Sequence, residues 1–501
     1  MPVMPMRVVM LASECEPWAK TGGLADVVDA LARALGELRG EAVETPIEVF
    51  LPRYRSVPRP EPAAVERTTS VRVPDPRTPS GSSEVTVTDV AADGYRLRLV
   101  DHPAAFDRVG FYGDDTGDYP DNAWRFGLFC RAAMEALRAD ERPVDVLHLH
   151  DWHTGPAAIY RDVRYADDPI VGNAAILITL HNLAYHGWTP RAALGQLGLA
   201  PGDGVVARDA DGIDLLLNGI ERAELANTVS PGFAAEALTP AFGMDLDGAL
   251  RAKGDRFIGI LNGLDTRVWD PAHDADLAAP YSREDRAGKA ACRADLLTRL
   301  GFDPADPGAV IGMIGRLDPQ KGFDLLADAS PTLLDRGARL VVQGSGHPDL
   351  ADPFRAIATK RPRQVALIER FDRVMARRIY AGADFFAMPS RFEPCGQGQM
   401  IALRYGTPPI VNRTGGLADT VIDEVAHPGA GTGFGFEGAT VAGLLRACET
   451  AMRMRAAGGA AWEGILDRGM AVDFDWVRGS APRYVEAYRR ALEIRRPAGA
   501  T

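Results

Sequence analysis

Positive charge is scarce in this chain. Its 501 residues carry 56 Lys and Arg against 68 Asp and Glu, a formal net charge of −12. Binding to a phosphate backbone needs a basic face, so nucleic acid is excluded as the main partner, although a small basic pocket for one anionic ligand is not. Cysteine is scarce as well. The five residues Cys15, Cys130, Cys292, Cys395 and Cys448 are widely spaced and form no C-x-x-C pair. That excludes the usual zinc spacings and a disulfide framework, and it fits a reducing compartment. Long apolar runs are missing, so no segment reads as a membrane span. Residues 1–13 hold one Arg and the short apolar run 8–12, without the long apolar stretch or cleavage site of a secretory leader. The expectation is a cytoplasmic protein that binds neither membrane nor nucleic acid.

What the chain does contain is ordinary globular material, 46% apolar and 25% charged, in a length that implies two or three domains. Short apolar runs alternate with helical stretches. Strands are expected at 8–11, 47–51, 97–100, 144–149, 175–180 and 226–229, and again at 310–314, 340–342, 365–368, 385–388 and 410–411. A helix with apolar spacing near 3.6 is expected over 24–38. Such alternation implies α/β architecture with parallel sheets covered on both faces. The segment 58–83 is rich in Pro, Arg, Ser and Thr and reads as a surface loop or a loosely held hairpin. Residues 262–271 and 304–307 read as connections near a domain junction. The stretch 476–495 is amphipathic through Tyr484, Ala487, Tyr488 and Leu492, and either ends the second domain or packs back on the first.

The expected architecture is therefore two Rossmann-like, doubly wound domains facing each other across a cleft. In open α/β sheets ligands sit outside the carboxyl ends of the strands, and nearly every unusual polar cluster here falls just after an expected strand. The first is Lys20-Thr21-Gly22-Gly23-Leu24-Ala25-Asp26. Adjacent glycines let backbone approach a ligand, the following helix start offers free N–H groups, and Lys20 adds a charge. A plain strand–helix turn with a solvated lysine explains the spacing equally well, and the segment is not a Walker A sequence.

The second cluster is His148-Leu149-His150-Asp151-Trp152-His153. It admits three readings: a metal site, packed or hydrogen-bonded histidines, and a polar sugar-binding rim in which Asp accepts from hydroxyls and Trp stacks on a sugar face. No H-E-x-x-H helix supports the first, and packed histidines are the default. His181-Asn182 follows the run 175–180 in the same way, with Tyr185, His186 and Trp188 beside it. In the second half, Gly315-Arg316-Leu317-Asp318-Pro319-Gln320-Lys321-Gly322 places two cations in one turn-rich segment. Fixed cations at a strand end suit a diphosphate leaving group, while solvated surface cations are the plain alternative. Ser390-Arg391-Phe392-Glu393-Pro394-Cys395-Gly396 holds Glu393 in a rigid turn, where a carboxylate can meet sugar hydroxyls. Cys395 has no paired base and is a poor nucleophile candidate. Gly415-Gly416 is a further close-approach loop.

Together these segments resemble the glycogen and starch synthases, retaining glycosyltransferases of the GT-B fold. The matches run in the family's order: KTGGLADV from Lys20, YPDNAWRF from Tyr119, HLHDWHTG from His148, HNLAYHG from His181, TVSPGF from Thr228, ILNGLD from Ile260, GRLDPQKG from Gly315, SRFEPCG from Ser390 and RYGTPPIVNRTGGLADTV from Arg404. The resemblance implies an N-terminal domain over 1–262 on the glucan acceptor side and a C-terminal domain over 263–480 on the nucleotide-sugar side. A terminal helix within 481–501 would cross back to the first domain. It implies ADP-glucose as donor, glycogen or a malto-oligosaccharide as acceptor, and neither cofactor nor metal.

By the same resemblance, Lys20 and Gly23 (with Asp26 in the same motif) would meet the donor. Arg316 and Lys321 would hold the diphosphate, His181 would bond the glucose beside the anomeric carbon, and Glu393 would serve the glucose hydroxyls. Asp151, Trp152 and His153 would shape the sugar and acceptor side, and Asn262 the donor side. Cys395, Gly396 and Gly398 would line the donor loop. The sequence departs from the family at two points. Gln397-Gly398-Gln399 stands where the family usually reads Leu-Thr-Gln, which removes a hydroxyl at Gly398; restoring it is expected to tighten donor binding by about 0.5–1.5 kcal/mol. Phe371 stands where many members have a Tyr near the adenine, which keeps stacking and removes one hydrogen bond. The alternatives are a related GT-B glucosyltransferase that uses UDP-glucose or another acceptor, and a glucan-binding protein without activity.

Overall fold

The computed structural model describes residues 5–38, 42–207 and 212–496. They form two compact units, one built from residues up to Val229 with 234–263 and 476 onward, the other from Ser230–Phe233 and Leu264–Asp475.

The first unit is a nine-stranded sheet. Its strands in chain order are β1 (Val8–Leu11), β2 (Ile47–Pro52), β3 (Val65–Pro74), β4 (Ser82–Ala91), β5 (Tyr95–Asp101), β6 (Val146–His150), β7 (Ala175–Leu180), β8 (Leu225–Thr228) and β9 (Phe257–Gly259). They lie in the order β9-β8-β7-β6-β1-β2-β5-β4-β3. The strands from β9 to β5 pair in parallel. β1, β2, β6 and β7 are buried along their whole length; β1 and β7 accordingly read as nearly continuous apolar runs, while β2 carries Glu48 and β6 carries His148 and His150 into the interior. The helix Gly23–Glu37 buries Leu24, Val27, Val28, Leu31 and Leu35, one stripe at helical spacing.

The segment 58–83 is more ordered than its composition suggests. β3 and β4 are ten-residue strands of one antiparallel hairpin, with Val71 opposite Val85 and Thr69 opposite Val87, and β4 extends the sheet beside β5. Val71, Val73, Val85 and Val87 face inward while Arg67, Arg72 and Glu84 stay outside or at the rim. This is the polar–apolar alternation of a half-covered antiparallel pair, and the charged outer face hides it from a composition count.

The second unit is a six-stranded, wholly parallel sheet of β10 (Val310–Leu317), β11 (Arg339–Gly346), β12 (Val365–Ile368), β13 (Phe385–Met388), β14 (Pro409–Asn412) and β15 (Phe434–Phe436), ordered β12-β11-β10-β13-β14-β15. The order reverses between β10 and β13, so the crevice for a ligand opens at the carboxyl ends of those two strands. In the first unit the reversal falls between β1 and β6. The helix Ala481–Arg495 packs on β6, β7 and β8 and buries Tyr484, Val485, Ala487, Tyr488 and Ala491. No described helix is long and apolar enough to cross a membrane.

Candidate active site

At the carboxyl end of β1 the chain turns through residues 12–22 into the helix Gly23–Glu37. One buried carboxylate organises this turn. Glu14 accepts from Thr21 N and Thr21 Oγ1 (both 2.6 Å), from Gly22 N at 3.1 Å and from the Tyr112 hydroxyl at 2.6 Å. Lys20 is half-exposed and its ammonium pairs with Asp26 at 2.6 Å and with Glu16 at 3.6 Å. Lys20 and Asp26 are thus each other's partners. Burial raises the Asp26 carboxyl while Lys20 holds it down. A Cβ placed on Gly22 or Gly23 would meet no atom within 4 Å. The backbone of the glycine pair therefore faces open space, which a close-approach loop requires.

The histidines at the ends of β6 and β7 are packed and hydrogen-bonded. His148 bonds Tyr488 Oη at 2.9 Å and Thr179 Oγ1 at 2.7 Å, and His150 Nδ1 lies 2.9 Å from His181 Nε2. No group of three or more His, Cys, Asp or Glu among the described residues is placed to hold a metal ion. Burial keeps all four rings neutral: it lowers His148 and His181 to about 3 and pushes His150 and His153 well down. Asp151 adopts φ +55°, a strained value for a non-glycine residue, and that turn directs its carboxylate to the backbone N–H of His181 at 2.7 Å. Burial raises the Asp151 carboxyl to about 7 against the backbone N–H donors of His181 and Asn182.

Trp152 differs from the stacking platform suggested by its sequence position. It is 8% exposed. One face lies on His153, with centroids 4.0 Å apart, its edge meets Phe126, and a Cβ on Gly187 would lie 2.2 Å from its ring. With its faces already covered, the indole supports the wall of the site instead of stacking on a sugar. His153 is held in the same cluster, against Tyr112 at 4.5 Å and Phe126 at 4.8 Å. Asn262 is buried beyond β9, and its Oδ1 has no hydrogen-bond partner.

In the second unit the turn after β10 and the turn after β13 lie at the strand-order reversal and are laced together. Arg391 N donates to Gln320 O at 2.8 Å, Gln320 Nε2 to Phe392 O at 3.1 Å, and the Arg391 guanidinium to Asp324 and to Pro319 O. Gly322 is needed here because its φ is +73° and a Cβ would strike Pro389 O at 2.3 Å. Glu393 is buried. Its carboxylate accepts from Lys321 Nζ at 2.6 Å and from Ser390 Oγ at 3.1 Å. Two residues expected to act separately thus form one ion pair. Gly416 N donates to Glu393 O, and the close-approach glycines 415 and 416 lie against Glu393 O and Cys395 O. Cys395 is buried in this turn, and Gly396 (φ +72°) bends the chain toward Gln399.

Arg316 is the exception. It is exposed at the carboxyl end of β10, and its side chain makes no hydrogen bond or ion pair among the described residues. The stem of Lys321 runs alongside, since a Cβ on the neighbouring Gly315 would lie 3.9 Å from Lys321 Cγ. Phe371, after β12, is 76% exposed, and its ring is free to stack. Gly398 corrects an expectation. A Cβ there would lie 2.9 Å from the Phe386 ring and 3.3 Å from both Met388 Sδ and Tyr380 Oη. A side chain at 398 would start into the core under β13, so a hydroxyl restored at this position does not simply rejoin a ligand site.

Sequence reasoning missed Glu14, Tyr112 and Ser390 as organisers of these turns, and Tyr488 as a partner of His148. Glu14 was detectable as a carboxylate directly behind an apolar strand. The distance in sequence from His148 to Tyr488 left no such signal.

Two Rossmann-like α/β units, each with its polar residues gathered where the strand order reverses, define a glycosyltransferase of the GT-B fold. Residues 7–252 match the starch synthase catalytic domain and residues 308–453 the glycosyl transferases group 1. The chain is 40% identical over 497 residues to a glycogen synthase of Syntrophotalea carbinolica (98% of this chain, 99% of that one). It is 41% identical over 493 residues to one of Anaeromyxobacter dehalogenans (97% and 99%). It belongs to the glycogen and starch synthase family. Among solved structures, the catalytic domain of starch synthase IV from Arabidopsis thaliana, bound to ADP and acarbose, superposes with a TM-score of 0.86 at 32% identity, covering 98% of this chain and all of that one. Sucrose-phosphate synthase from Thermosynechococcus elongatus (TM-score 0.60, 17% identity, 97% and 98% covered) shares the fold.

Proposed function

We propose that this chain transfers glucose from ADP-glucose to the non-reducing end of an α-1,4-glucan such as glycogen or a malto-oligosaccharide, with retention of configuration and release of ADP. The observation that carries this reading is Arg316, an exposed cation without a protein partner at the strand-order reversal of the second unit, in a chain whose relatives are glycogen synthases. A fixed guanidinium is suited to a diphosphate because its donors match phosphate oxygens in pairs. As the bond from the anomeric carbon to the phosphate oxygen breaks, the electron pair passes to that oxygen. Arg316 and Lys321 stabilise the charge as it develops. The acceptor hydroxyl attacks from the same face, its oxygen bonds the anomeric carbon, and its proton passes to the leaving phosphate.

Glu393 holds Lys321 toward the diphosphate and offers its remaining acceptor capacity to the glucose hydroxyls. A covalent glycosyl-enzyme would need two carboxylates at defined spacing, and Glu393 is already committed to Lys321 and Ser390. His181 and Asn262 bond the glucosyl group, and the open Gly22-Gly23 backbone receives the donor next to the Lys20–Asp26 pair. Asp151, Trp152 and His153 form the supporting wall on the acceptor side. Cys395, Gly396 and Gly398 shape the donor turn, and Phe371 stacks on the base. The acceptor is assigned to the unit of residues up to Val229 with 234–263 and 476 onward, and the nucleotide sugar to the unit of Ser230–Phe233 and Leu264–Asp475, where the sequence expectation puts the boundaries at 262 and 480.

The test is nucleoside-diphosphate release from ADP-glucose and from UDP-glucose, with glycogen as acceptor and no added metal. ADP release with glucan growth is the expected result. Release from UDP-glucose alone would move the donor assignment. Glycogen binding without release from either donor would leave a glucan-binding protein.

A further inference from the structure

The buried polar groups under β6 and β7 hydrogen-bond in one direction only. Asn227 is oriented by its Nδ2, which donates to Thr228 O and to the Tyr484 hydroxyl, leaving Oδ1 to accept from Thr179 Oγ1 at 2.7 Å. The Thr179 hydroxyl proton is spent on that bond. Thr179 Oγ1 must then accept at its 2.7 Å contact with His148 Nε2, so His148 carries its proton on Nε2. Its bare Nδ1 accepts from the Tyr488 hydroxyl at 2.9 Å.

The next pair is less constrained by partners and more by burial. His150 Nδ1 and His181 Nε2 are 2.9 Å apart. Burial keeps both imidazoles neutral, His181 down at about 3, so one N–H must lie between them. His150 Nε2 is buried without any partner. A proton there would be an orphaned buried N–H, whereas a bare nitrogen leaves only an unused acceptor; orphaned donors are the rarer of the two in folded proteins. His150 therefore carries its proton on Nδ1 and donates to His181 Nε2. That places the His181 proton on Nδ1, which has no partner among the described residues, on a residue only half-buried. Asp151 fixes the same histidine from its backbone side at 2.7 Å.

We infer that His150 is a positioning residue that holds His181 in the Nδ1–H tautomer, so that His181 presents a hydrogen-bond donor, and not a lone pair, to a sugar oxygen. The role of His181 toward sugar rests on the proposed function, whereas its tautomer does not. A donor at this position suits an oxygen that gains or keeps electron density during transfer. It excludes His181 as a general base through its open nitrogen.

The test uses the full chain labelled with ¹⁵N-histidine and long-range ¹H–¹⁵N correlation, with the His181 signals assigned by their loss in His181→Asn. The wild-type spectrum is expected to show His181 protonated at Nδ1. In His150→Phe the Nε2 atom of His181 loses its donor. The expected result is appearance of the Nε2–H form and a fall in kcat of about tenfold, the scale of one misdirected hydrogen bond, with donor KM nearly unchanged. His150→Asn, whose amide nitrogen can stand where Nδ1 stood, should restore the Nδ1–H signal and most of the kcat. An Nε2–H signal for His181 in the wild type would overturn the inference, and so would an unaltered tautomer and kcat in His150→Phe. If that variant does not fold, the wild-type and His150→Asn spectra decide. If no donor is turned over, the proposed function fails and the spectrum still reads the tautomer on its own.

Discussion

Two arginines, each on a strand of its own sheet, show how differently this chain treats charge. Arg98 on β5 is fully buried, and its guanidinium donates to Asp89 at 2.9 Å, Glu48 at 2.8 Å and Asp140 at 2.7 Å, while Arg7 adds bonds to Glu48 and Asp140. The cluster closes on itself: Asp140 is held below the usual carboxylate range by Arg98 and Arg67 despite its burial. Arg316 on β10 is exposed and has no protein partner among the described residues. A paired buried charge is explained by the fold that it joins. An unpaired one placed at a strand-order reversal is explained by what it awaits.

Removing Arg98 should break the first member of the comparison with the largest effect. Arg98→Met takes the central cation from Asp89, Glu48 and Asp140 and leaves them to Arg7 and Arg67 alone; loss of one partner from such a buried network costs about 3–5 kcal/mol. Chemical denaturation should show that loss, while the fraction that remains folded keeps its turnover per molecule. Arg316→Ala should do the reverse. Turnover should fall by about 10²–10³, the scale of one lost oxyanion donor, and the denaturation midpoint should stay in place because an exposed, unpaired side chain supports nothing. A stability loss in Arg316→Ala with normal kcat would invert the comparison.

The imidazoles beneath β6 and β7 extend the contrast to pH. Their folded pKa values lie below the ordinary 6.5, with His148 and His181 at about 3, so the unfolded chain binds protons that the folded chain refuses. Stability from these groups is present above pH 6.5 and drains as pH falls from there toward 3. Asp151, raised to about 7, works the other way, since it stabilises most below 3.8 and loses that contribution as pH rises through 7. Four rings against one carboxyl predict a net decline on acidification. The melting temperature measured from pH 7.5 down to 5 should fall, and less steeply in His148→Gln than in the wild type.

Much of this was legible in the sequence. Buried parallel strands such as β1 and β7 announce themselves as apolar runs, and the polar clusters behind 8–11, 175–180, 310–314 and 385–388 are where the strand ends place them. The hairpin of β3 and β4 was legible only as a loose possibility, because alternation with a charged outer face averages to a polar composition. Pairings such as Lys321 with Glu393, or His148 with Tyr488, connect residues far apart in the chain. No local pattern encodes which candidate partners saturate each other. The direction of a Cβ is equally hidden, which is why Gly398 read as a missing ligand contact.

Gly398→Thr therefore sharpens the comparison by asking whether position 398 belongs to the fold or to the ligand. Its Cβ would press on the Phe386 ring at 2.9 Å, and overpacking of this kind typically costs about 1–3 kcal/mol. The expected result is a lower melting temperature with donor affinity unchanged or weaker. Tighter donor binding at unchanged stability would return the residue to the site.

Phe371 should give the smallest effect and the cleanest assignment. The ring is 76% exposed after β12 and belongs to neither described core cluster of the second unit. Phe371→Ala should leave the folding stability within about 0.5 kcal/mol of the wild type, as for other surface positions. If the ring stacks on the nucleotide base, the donor KM should rise by an amount that corresponds to about 1 kcal/mol, near the lower end for base–aromatic stacking. Because every base has a π-face, the penalty should be similar for ADP-glucose and UDP-glucose. A penalty confined to one donor would mean that position 371 reads the edge of the base, and Phe371→Tyr should then widen the preference.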